Sequence, residues 1–143
     1  MKTVQQLLES KGTAVVSVKP DALVIDALRV MAEREIGAVL VVDNARLVGI
    51  MSERDYARKI ILRGRSSQET TVRDIMTDRV VYVRPQQTVN ECMALMTNKR
   101  IRHLPVLDAG ERIAGILSVG DLVKETIAQQ EFIIQQLENY IHG

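Results

Sequence analysis

The chain contains an internal repeat that covers most of its length. Residues 15–43 align with residues 80–108 at a constant offset of 65 without a gap, and nine of the 29 aligned positions are identical. One inserted residue near Gly110 moves the offset to 66, after which 47–55 (LVGIMSERD) aligns with 113–121 (IAGILSVGD). A duplication of this extent predicts two supersecondary units that bury their apolar faces against each other, with two related clefts along the seam.

The order of apolar residues within each repeat predicts a strand followed by a helix. The β-branched runs 15–18 and 80–83 end at a proline and indicate short strands. After each proline, apolar residues recur with the spacing i, i+3, i+4 and i+7, which is typical of an amphipathic helix. These residues are Val24, Ala27, Leu28 and Met31 in the first repeat and Val89, Cys92, Met93 and Met96 in the second. Thr88 and Glu91 predict a capping box at the start of the second helix.

Each repeat then continues into a β-hairpin and a further helix. The predicted hairpin strands are 38–42 and 47–51 in the first repeat, and 104–107 and 113–117 in the second. The residues between the paired strands are rich in Asp, Asn and Gly, which favour tight turns. The following helices are predicted to begin at Ser52 and Ser118, and short equivalent helices at 3–9 and 71–77 lead into the repeats. Each unit therefore combines helices with a three-stranded sheet.

These elements predict an α+β fold in which residues 3–67 and 71–130 are the two repeated units of one integrated module. The polar segment 63–70 is predicted to be a surface linker. The last helix extends beyond the repeat as a C-terminal extension, 131–143. It carries apolar residues seven positions apart, namely Ile127, Ile134 and Ile141. Such a helix packs either on its own domain or against a second subunit, and the spacing alone leaves both interpretations open.

Composition excludes several classes of protein. The 19 basic and 18 acidic side chains give a net charge of +1, and only 3% of the residues are aromatic, which argues against a nucleic-acid partner. The single Cys92 fits a reducing compartment. The first residues are too polar for a signal peptide, and no apolar run approaches the roughly 20 residues of a membrane span. We therefore expect a soluble, cytoplasmic protein that binds neither nucleic acid nor membrane.

The doubled element Gly-Ile-x-Ser-x-x-Asp is the main candidate for ligand binding. It comprises Gly49, Ile50, Ser52 and Asp55 in the first repeat, and Gly115, Ile116, Ser118 and Asp121 in the second. A serine at a helix start leaves backbone N–H groups that suit a phosphate, and an aspartate one turn later can accept hydrogen bonds from the vicinal hydroxyls of a ribose. The same residues also form a simple N-cap with an acidic first turn, and a duplicated fold duplicates its caps.

Charge at one further position distinguishes the two repeats. Arg102 and His103 precede a predicted strand, whereas their counterparts in the first repeat are Gly37 and Ala38. Arginine binds phosphate through its planar guanidinium, although an exposed arginine and a surface histidine without a ligand are an equal alternative. A local basic run is interpreted as a solvated helix end, and it consists of Arg58, Lys59, Arg63 and Arg65.

Catalytic groups are few. The chain has two histidines and contains no Cys/His metal spacing, no P-loop and no GxSxG motif. Asp55 and Asp121 could form a carboxylate pair, but no third group suggests an acid–base role for them. The sequence therefore favours a binding protein over an enzyme.

With these motifs in place, the chain resembles a tandem pair of cystathionine β-synthase (CBS) domains, a Bateman module, from Thr3 to about Ala128. The motifs that carry the resemblance are VxVxP at 16–20 and 81–85, IRHLPV at 101–106, and the doubled GIxSxxD element. The resemblance implies two β-α-β-β-α motifs related by a pseudo-twofold axis. It also implies flat dimers and adenosyl ligands (AMP, ADP, ATP, NAD or S-adenosylmethionine) in the clefts between the motifs, with sensing rather than catalysis.

The resemblance also assigns roles to residues. It implies that Asp55 and Asp121 hold ribose hydroxyls, that Ser52 and Ser118 lie beside phosphate, and that a threonine before each first strand lines the adenine and phosphate region. The full set of expected ligand-binding residues is Thr13, Val15, Gly37, Ala38, Ser52, Arg54, Asp55, Thr77, Val80, Arg102, His103, Pro105, Ser118 and Asp121.

The two clefts are expected to be unequal. Because clefts form between motifs, Arg102 and His103 should contact phosphate at the site whose ribose is held by Asp55. Arg54 is cationic where the second repeat has a glycine, which adds to the difference. The site of Asp121 receives no such charge, and weaker phosphate binding is expected there.

The sequence thus predicts a non-enzymatic regulatory protein that forms a homodimer, binds AMP, ADP, ATP or NAD ahead of S-adenosylmethionine, and acts on a regulated protein partner. The rival hypothesis is a constitutive dimerisation or partner-docking module with vestigial clefts. A third hypothesis, a small hydrolase, would need Asp55 or Asp121 as its catalyst.

Overall fold

The computed structural model describes residues 2–142 and contains two small sheets flanked by helices, which confirms the predicted α+β class. In chain order the elements are α1 (Val4–Lys11), β1 (Ser17–Val18), α2 (Val24–Arg34), β2 (Ala38–Asp43), β3 (Arg46–Ser52), α3 (Glu53–Tyr56), α4 (Val72–Ile75), α5 (Val89–Lys99), β4 (His103–Leu107), β5 (Ile113–Ser118) and α6 (Val119–His142). A π-helical segment, Ala57–Ile61, continues α3.

The two amphipathic helices lie where the apolar spacing predicts them. Their buried residues are Val24, Ala27 and Met31 in α2, and Val89, Cys92 and Met96 in α5. Both helices end at a residue in the left-handed conformation, Glu35 (φ 54°) and Arg100 (φ 55°), which stand 65 positions apart. The predicted capping box of α5 forms in one direction only. The Thr88 hydroxyl accepts a bond from the Glu91 N–H (3.2 Å), but the Glu91 carboxylate accepts from that hydroxyl (3.3 Å) rather than from the Thr88 backbone.

The hairpins form as predicted. Strands β2 and β3 pair in antiparallel fashion, as do β4 and β5, and each pair contains an irregularity at the equivalent position, Val41/Val42 or Val106/Leu107. The turn between β2 and β3 consists of Asn44 and Ala45, both with positive φ (50° and 64°). This is the geometry of a type I′ turn, whose twist matches that of the flanking strands.

The strand predicted at 80–83 was wrong, and so was the three-stranded sheet of the second repeat. Only Val83 makes a bridge, parallel to Val106, through bonds to the Pro105 carbonyl and from the Leu107 N–H (both 3.0 Å). Val80 and Val81 instead line the cleft described below. In the first repeat the strand predicted at 15–18 is reduced to β1, which pairs in parallel with β2.

The lead-in helices are exchanged between the repeats. Helix α1 contributes Val4, Leu7 and Leu8 to the core of the second repeat. Helix α4 contributes Val72 and Ile75 to the core of the first. Each repeat therefore completes the hydrophobic core of the other, which joins the two units into one module. The boundaries 3–67 and 71–130 stay a prediction.

Matched hydrogen bonds hold this exchange and reveal the pseudo-twofold relation. The Val24 N–H donates to the Thr70 carbonyl (2.9 Å), and the Val89 N–H donates to the Lys2 carbonyl (3.0 Å). A second matched pair joins the lead-in helices to the residues before α2 and α5, Val72 N–H to Ala22 carbonyl and Val4 N–H to Gln87 carbonyl, both 2.8 Å. The linker 63–70 is largely exposed as predicted, but its last residue, Thr70, is buried.

The C-terminal part of α6 does not pack on its own domain. Leu122 is the only residue of α6 that is fully buried, and every described residue from 127 to 142 is exposed. Of the two interpretations of this helix, packing back on its own domain is wrong. None of the helices within residues 2–142 combines the length and the apolar content that crossing a membrane requires.

Gly49→Ala is expected to lower the free energy of unfolding by about 1–3 kcal/mol, because other atoms already fill the space that the new Cβ would occupy. A Cβ on Gly49 would lie 2.5 Å from the Met76 sulfur and 3.1 Å from the Thr77 carbonyl oxygen, where the segment after α4 crosses β3. Gly37→Ala is the control, since its Cβ would meet its nearest neighbour, His103 Cε1, at an ordinary 3.5 Å. Urea unfolding of both variants measures the difference, and equal losses would show that close approach is not the reason for the repeated glycine.

Candidate functional site

The GIxSxxD elements fold as reciprocal caps. In the first, the Asp55 carboxylate accepts from the Ser52 N–H (2.9 Å), and the Ser52 hydroxyl lies 3.3 Å from the Asp55 backbone nitrogen as its acceptor. In the second, the equivalent distances between Ser118 and Asp121 are 2.8 and 3.2 Å. The capping interpretation of these residues is therefore correct. It leaves ligand binding open, since a cap fixes the carboxylate at a helix start.

A lysine binds Asp55 from within its own helical segment. Asp55 is only 8% exposed. Its Oδ1 lies 3.1 Å from Lys59 Nζ and 3.4 Å from the Thr77 hydroxyl. Lys59 also donates to the Ile75 carbonyl (2.8 Å), so it ties the carboxylate to the end of α4. The interpretation of Lys59 as part of a solvated helix end was wrong.

Asp121 is bound by a lysine from a different part of the chain. Lys11, at the end of α1, lies 2.6 Å from Asp121 Oδ2 and donates to the Ile116 carbonyl at the same distance. Burial by itself would raise the pKa of the Asp121 carboxyl, but the bonds from Lys11 and Ser118 outweigh it and hold this pKa below its ordinary value. The two carboxylates of the repeat thus have different counter-ions.

A cleft of about 960 Å³ lies on the seam between the repeats and brings most of the expected ligand-binding residues together. Those that line it are Gly37, Ser52, Arg54, Asp55, Thr77, Val80, Arg102, His103 and Ser118. The remaining five, which are not among its lining residues, are Thr13, Val15, Ala38, Pro105 and Asp121. Of these, Ala38 and Pro105 are buried within strands β2 and β4, whereas Thr13 is exposed near the end of α1.

The cleft is strongly basic. Six cationic side chains line it, against the two carboxylates of Glu53 and Asp55. The cationic residues are Arg54, Arg58, Arg79, Lys99, Arg100 and Arg102. Because the whole chain carries a net charge of only +1, this surface concentrates positive charge at one place. Such a cleft attracts anions and raises their local concentration.

Residues from both repeats meet across this cleft. The Arg54 guanidinium donates to the Arg100 carbonyl at the end of α5 (2.9 Å), which spans the seam. The backbone of Arg102 is fixed by its carbonyl, which accepts from the Val119 N–H at the start of α6 (2.9 Å). A molecule in the cleft would therefore contact the beginnings of both α3 and α6.

The surroundings of His103 favour its neutral form. It is half-buried, and its ring faces Gly37 and Glu53. Burial lowers the pKa of His103 below its ordinary value, and the nearby Glu53 carboxylate opposes this only in part. The lowered pKa favours the neutral imidazole, which can donate or accept a hydrogen bond, so the arginines are the main source of positive charge for a phosphate.

Half of the six cationic residues in the cleft are absent from the sequence predictions. These residues are Arg79, Lys99 and Arg100. Arg58 is exposed, as its interpretation as part of a solvated helix end implies, and it also lines the cleft. A signal for two of the three absent residues was present, because the counterparts of Arg79 and Arg100 at the offset of 65 are Ala14 and Glu35. The described residues, 2–142, contain no group of three or more His, Cys, Asp or Glu side chains that could hold a metal ion.

Comparisons with known proteins agree with this architecture. The family model of the CBS domain matches the chain twice, over residues 12–62 and 72–127. The solved structure of a candidate signal-transduction protein with CBS domains from Burkholderia ambifaria MC40-6 is 51% identical. It covers 90% of this chain and 96% of that chain, with a TM-score of 0.86. The mitochondrial CBS domain-containing protein CBSX3 of Arabidopsis thaliana is 39% identical over 151 residues, spanning 99% of this chain and 72% of that protein.

A more distant structure was solved with ligands. It is the CBS domain pair of protein MJ0100 in complex with 5′-methylthioadenosine and S-adenosyl-L-methionine. It is 22% identical, with a TM-score of 0.80 over 90% of this chain and 98% of that chain. At this identity the similarity shows the fold alone.

Proposed function

Because this chain belongs to the CBS-domain family and consists of a tandem pair of these domains, we propose that it is a non-enzymatic regulatory protein that senses an adenine nucleotide. The nucleotide is AMP, ADP, ATP or NAD, and it binds in the seam cleft beside Asp55. The protein acts in the cytoplasm as a homodimer and responds by altering a regulated partner. The observation that carries the proposal is the concentration of six cationic side chains around a capped, nearly buried carboxylate.

The charge of the cleft decides between adenosyl ligands. Phosphate groups gain charge-assisted hydrogen bonds from arginines such as Arg54 and Arg102, and these bonds are about twice as strong as neutral ones. The sulfonium of S-adenosylmethionine is a cation and would be repelled by the same side chains. The MJ0100 domain pair, which has the same fold, binds adenosyl compounds. The charge of the cleft in this chain favours a phosphorylated ligand of that kind.

Asp55 can serve as the ribose acceptor only by exchanging partners. Its Oδ2 is occupied by Ser52, so the ribose hydroxyls would bind at Oδ1. There they replace the longest contact, the Thr77 hydroxyl at 3.4 Å, and loosen Lys59, which keeps its bond to the Ile75 carbonyl. Thr77 is exposed, so its displaced hydroxyl can bond to water, which keeps the cost of the exchange low.

Ligand binding would regulate through the seam. The lining residues come from both repeats and include Ser118 and Val119, where α6 begins. A nucleotide that binds one relative arrangement of the repeats better than another shifts the equilibrium by the ratio of the two affinities. The seam is thus the element through which occupancy reaches the rest of the molecule.

The rival function, a constitutive docking module with vestigial clefts, has one observation in its favour. Both carboxylates already form a cap and a lysine pair without any ligand. Their presence is therefore explained by structure alone, and only a binding measurement separates the two functions.

Calorimetric titration with ATP, ADP, AMP, NAD, adenosine and S-adenosylmethionine at 0.15 M salt tests the proposal. We expect affinity to fall in the order ATP, ADP, AMP, with ATP at least about tenfold tighter than AMP, because each phosphate adds charge-assisted bonds. S-adenosylmethionine should bind most weakly. ATP recovered after prolonged incubation should be unchanged. If none of these compounds binds, the docking function is correct, and if ATP is hydrolysed, the protein is an enzyme.

A further inference from the structure

The exposed part of α6, residues 127–142, is more apolar than a solvated helix requires. Seven large hydrophobic side chains in it are between 50% and 88% exposed. They are Ile127, Phe132, Ile133, Ile134, Leu137, Tyr140 and Ile141. In globular proteins helices gain most of their stability from packing an apolar face, so a segment of this kind indicates a partner.

The apolar side chains follow the heptad spacing of a coiled coil. Ile127, Ile134 and Ile141 occupy one core position, called a, at intervals of seven. Val123 and Leu137 occupy the second core position, d, with Gln130 between them. Isoleucine at a combined with leucine at d favours a two-stranded parallel coiled coil, and one polar core residue sets the register at a cost in stability. Of the remaining exposed side chains, Ile133 and Tyr140 flank the a and d positions, and Phe132 lies outside them.

The charges of the helix argue against a membrane as the partner. Residues 123–142 contain three glutamates, a single lysine, Lys124, and no arginine. Helices that lie on membrane surfaces are rich in basic residues on their polar face, which attract anionic lipids. A helix whose polar face carries glutamate and glutamine instead would be repelled by such a surface.

We propose that α6 pairs with α6 of a second copy of this chain as a parallel, in-register, two-stranded coiled coil over residues 123–142. Both strands then contribute isoleucine to the a layers. Glu131 and Glu138 occupy the position e, which in a parallel pair lies beside position g of the partner, where this helix has uncharged residues. In an antiparallel pair the e positions lie beside each other, where Glu131 would repel its own copy but Lys124, also at position e, would attract Glu138. Charge at position e therefore does not decide the orientation, and the parallel arrangement rests on isoleucine at position a with Leu137 at position d. The segment 123–142 is about 30 Å long at 1.5 Å per residue, which accommodates almost three heptads.

This inference rests on the proposed homodimer and specifies its surface. The first residue of α6, Val119, lines the nucleotide cleft, so pairing of the helices joins the clefts of the two copies through one continuous element. The coiled coil is thereby the route by which ligand in one copy could influence the other.

Sedimentation equilibrium of the full chain tests the coiled-coil interface. Ile134→Asp with Leu137→Asp should weaken the dimer more than about a hundredfold, because it buries unpaired charges in adjacent layers. The control is Gln129→Asp with Gln136→Asp, which adds the same charge to the same helix at position c. This position lies outside the coiled-coil interface, so the control should leave the dimer unchanged. Gln130→Leu should tighten it. All these positions are exposed in the single chain, so the fold itself is preserved.

The outcomes separate the two proposals. A wild-type chain that sediments as a monomer overturns the homodimer and the coiled coil together. If the chain still dimerises with Ile134→Asp and Leu137→Asp, the homodimer stands but the coiled coil is overturned. A third outcome is that the wild-type chain binds vesicles of phosphatidylcholine with phosphatidylserine and that Ile134→Asp with Leu137→Asp abolishes this binding. That result would overturn the coiled coil in favour of a membrane.

Cross-linking tests the orientation. Ile141→Cys places thiols of the two copies side by side in a parallel in-register pair, and oxidation should then give a covalent dimer in high yield. In an antiparallel pair the same thiols lie at opposite ends of the coiled coil, so the absence of cross-linking in an intact dimer overturns the parallel arrangement. The native Cys92 does not compete, because burial raises the pKa of its thiol to about 11.

Discussion

Replacing Asp55 with alanine is expected to weaken ATP binding by about 1.5–3 kcal/mol, or roughly 10- to 150-fold. The proposed ribose hydroxyls lose a charged acceptor, and hydrogen bonds to charged groups contribute energies of this size. Lys59 then gains freedom to turn toward the phosphates, which places the expected loss at the lower end for ATP and at the upper end for adenosine. Calorimetry with both ligands measures the two values.

Asp121→Ala is the matched control. It removes the same reciprocal cap at a helix start and the same kind of lysine pair, with Lys11 in place of Lys59. We therefore expect the two variants to lose similar free energies of unfolding, of about 1 kcal/mol for the cap, while only Asp55→Ala loses ATP affinity. If both bind ATP as the wild type does, the aspartates are caps and nothing more.

The fold was predictable to the extent that local patterns determine it. The i, i+3, i+4, i+7 spacing located α2 and α5, and the apolar runs around Asp-, Asn- and Gly-containing turns located both hairpins. The strand at 80–83 failed because strand formation depends on a paired neighbour, and only Val83 reaches one. The exchange of α1 and α4 between the repeats was not predictable, since equivalent sequences pack equally well onto either core.

The site was predicted where its residues belong to repeated motifs and missed where they come from elsewhere. The GIxSxxD elements and Arg102 were identified because comparison of the two repeats directed attention to them. Lys11 and Lys59 were missed because the carboxylates acquire them by different routes, one from an exchanged helix and one from the next helical turn. Arg79 and Arg100 were missed although the same comparison marks them, because neither lies in a family motif.

Arg102→Ala is expected to reduce ATP affinity by about 1.5 kcal/mol, or roughly tenfold, and to leave adenosine affinity unchanged. Arg102 is exposed, so its contribution stands at the low end of the range for a bond between charged groups. The substitution keeps the backbone bond from Val119 to the residue 102 carbonyl, which does not depend on the side chain. The dependence of ATP affinity on salt should also become weaker, because exposed charges are screened over about 8–10 Å at physiological ionic strength.

Arg112→Ala controls for the loss of one positive charge from the whole chain. Arg112 follows the turn between β4 and β5, its side chain is 82% exposed, and it pairs with Asp108 outside the cleft. Its removal should change neither the affinity for ATP nor the salt dependence. An equal loss in both variants would mean that ATP responds to net charge alone, and an equal loss of ATP and adenosine in Arg102→Ala would mean that the arginine shapes the cleft rather than binding phosphate. Loss confined to ATP and to Arg102 supports the pairing of the Asp55 ribose acceptor with the arginine of the other repeat, at a position where the first repeat has the uncharged Gly37.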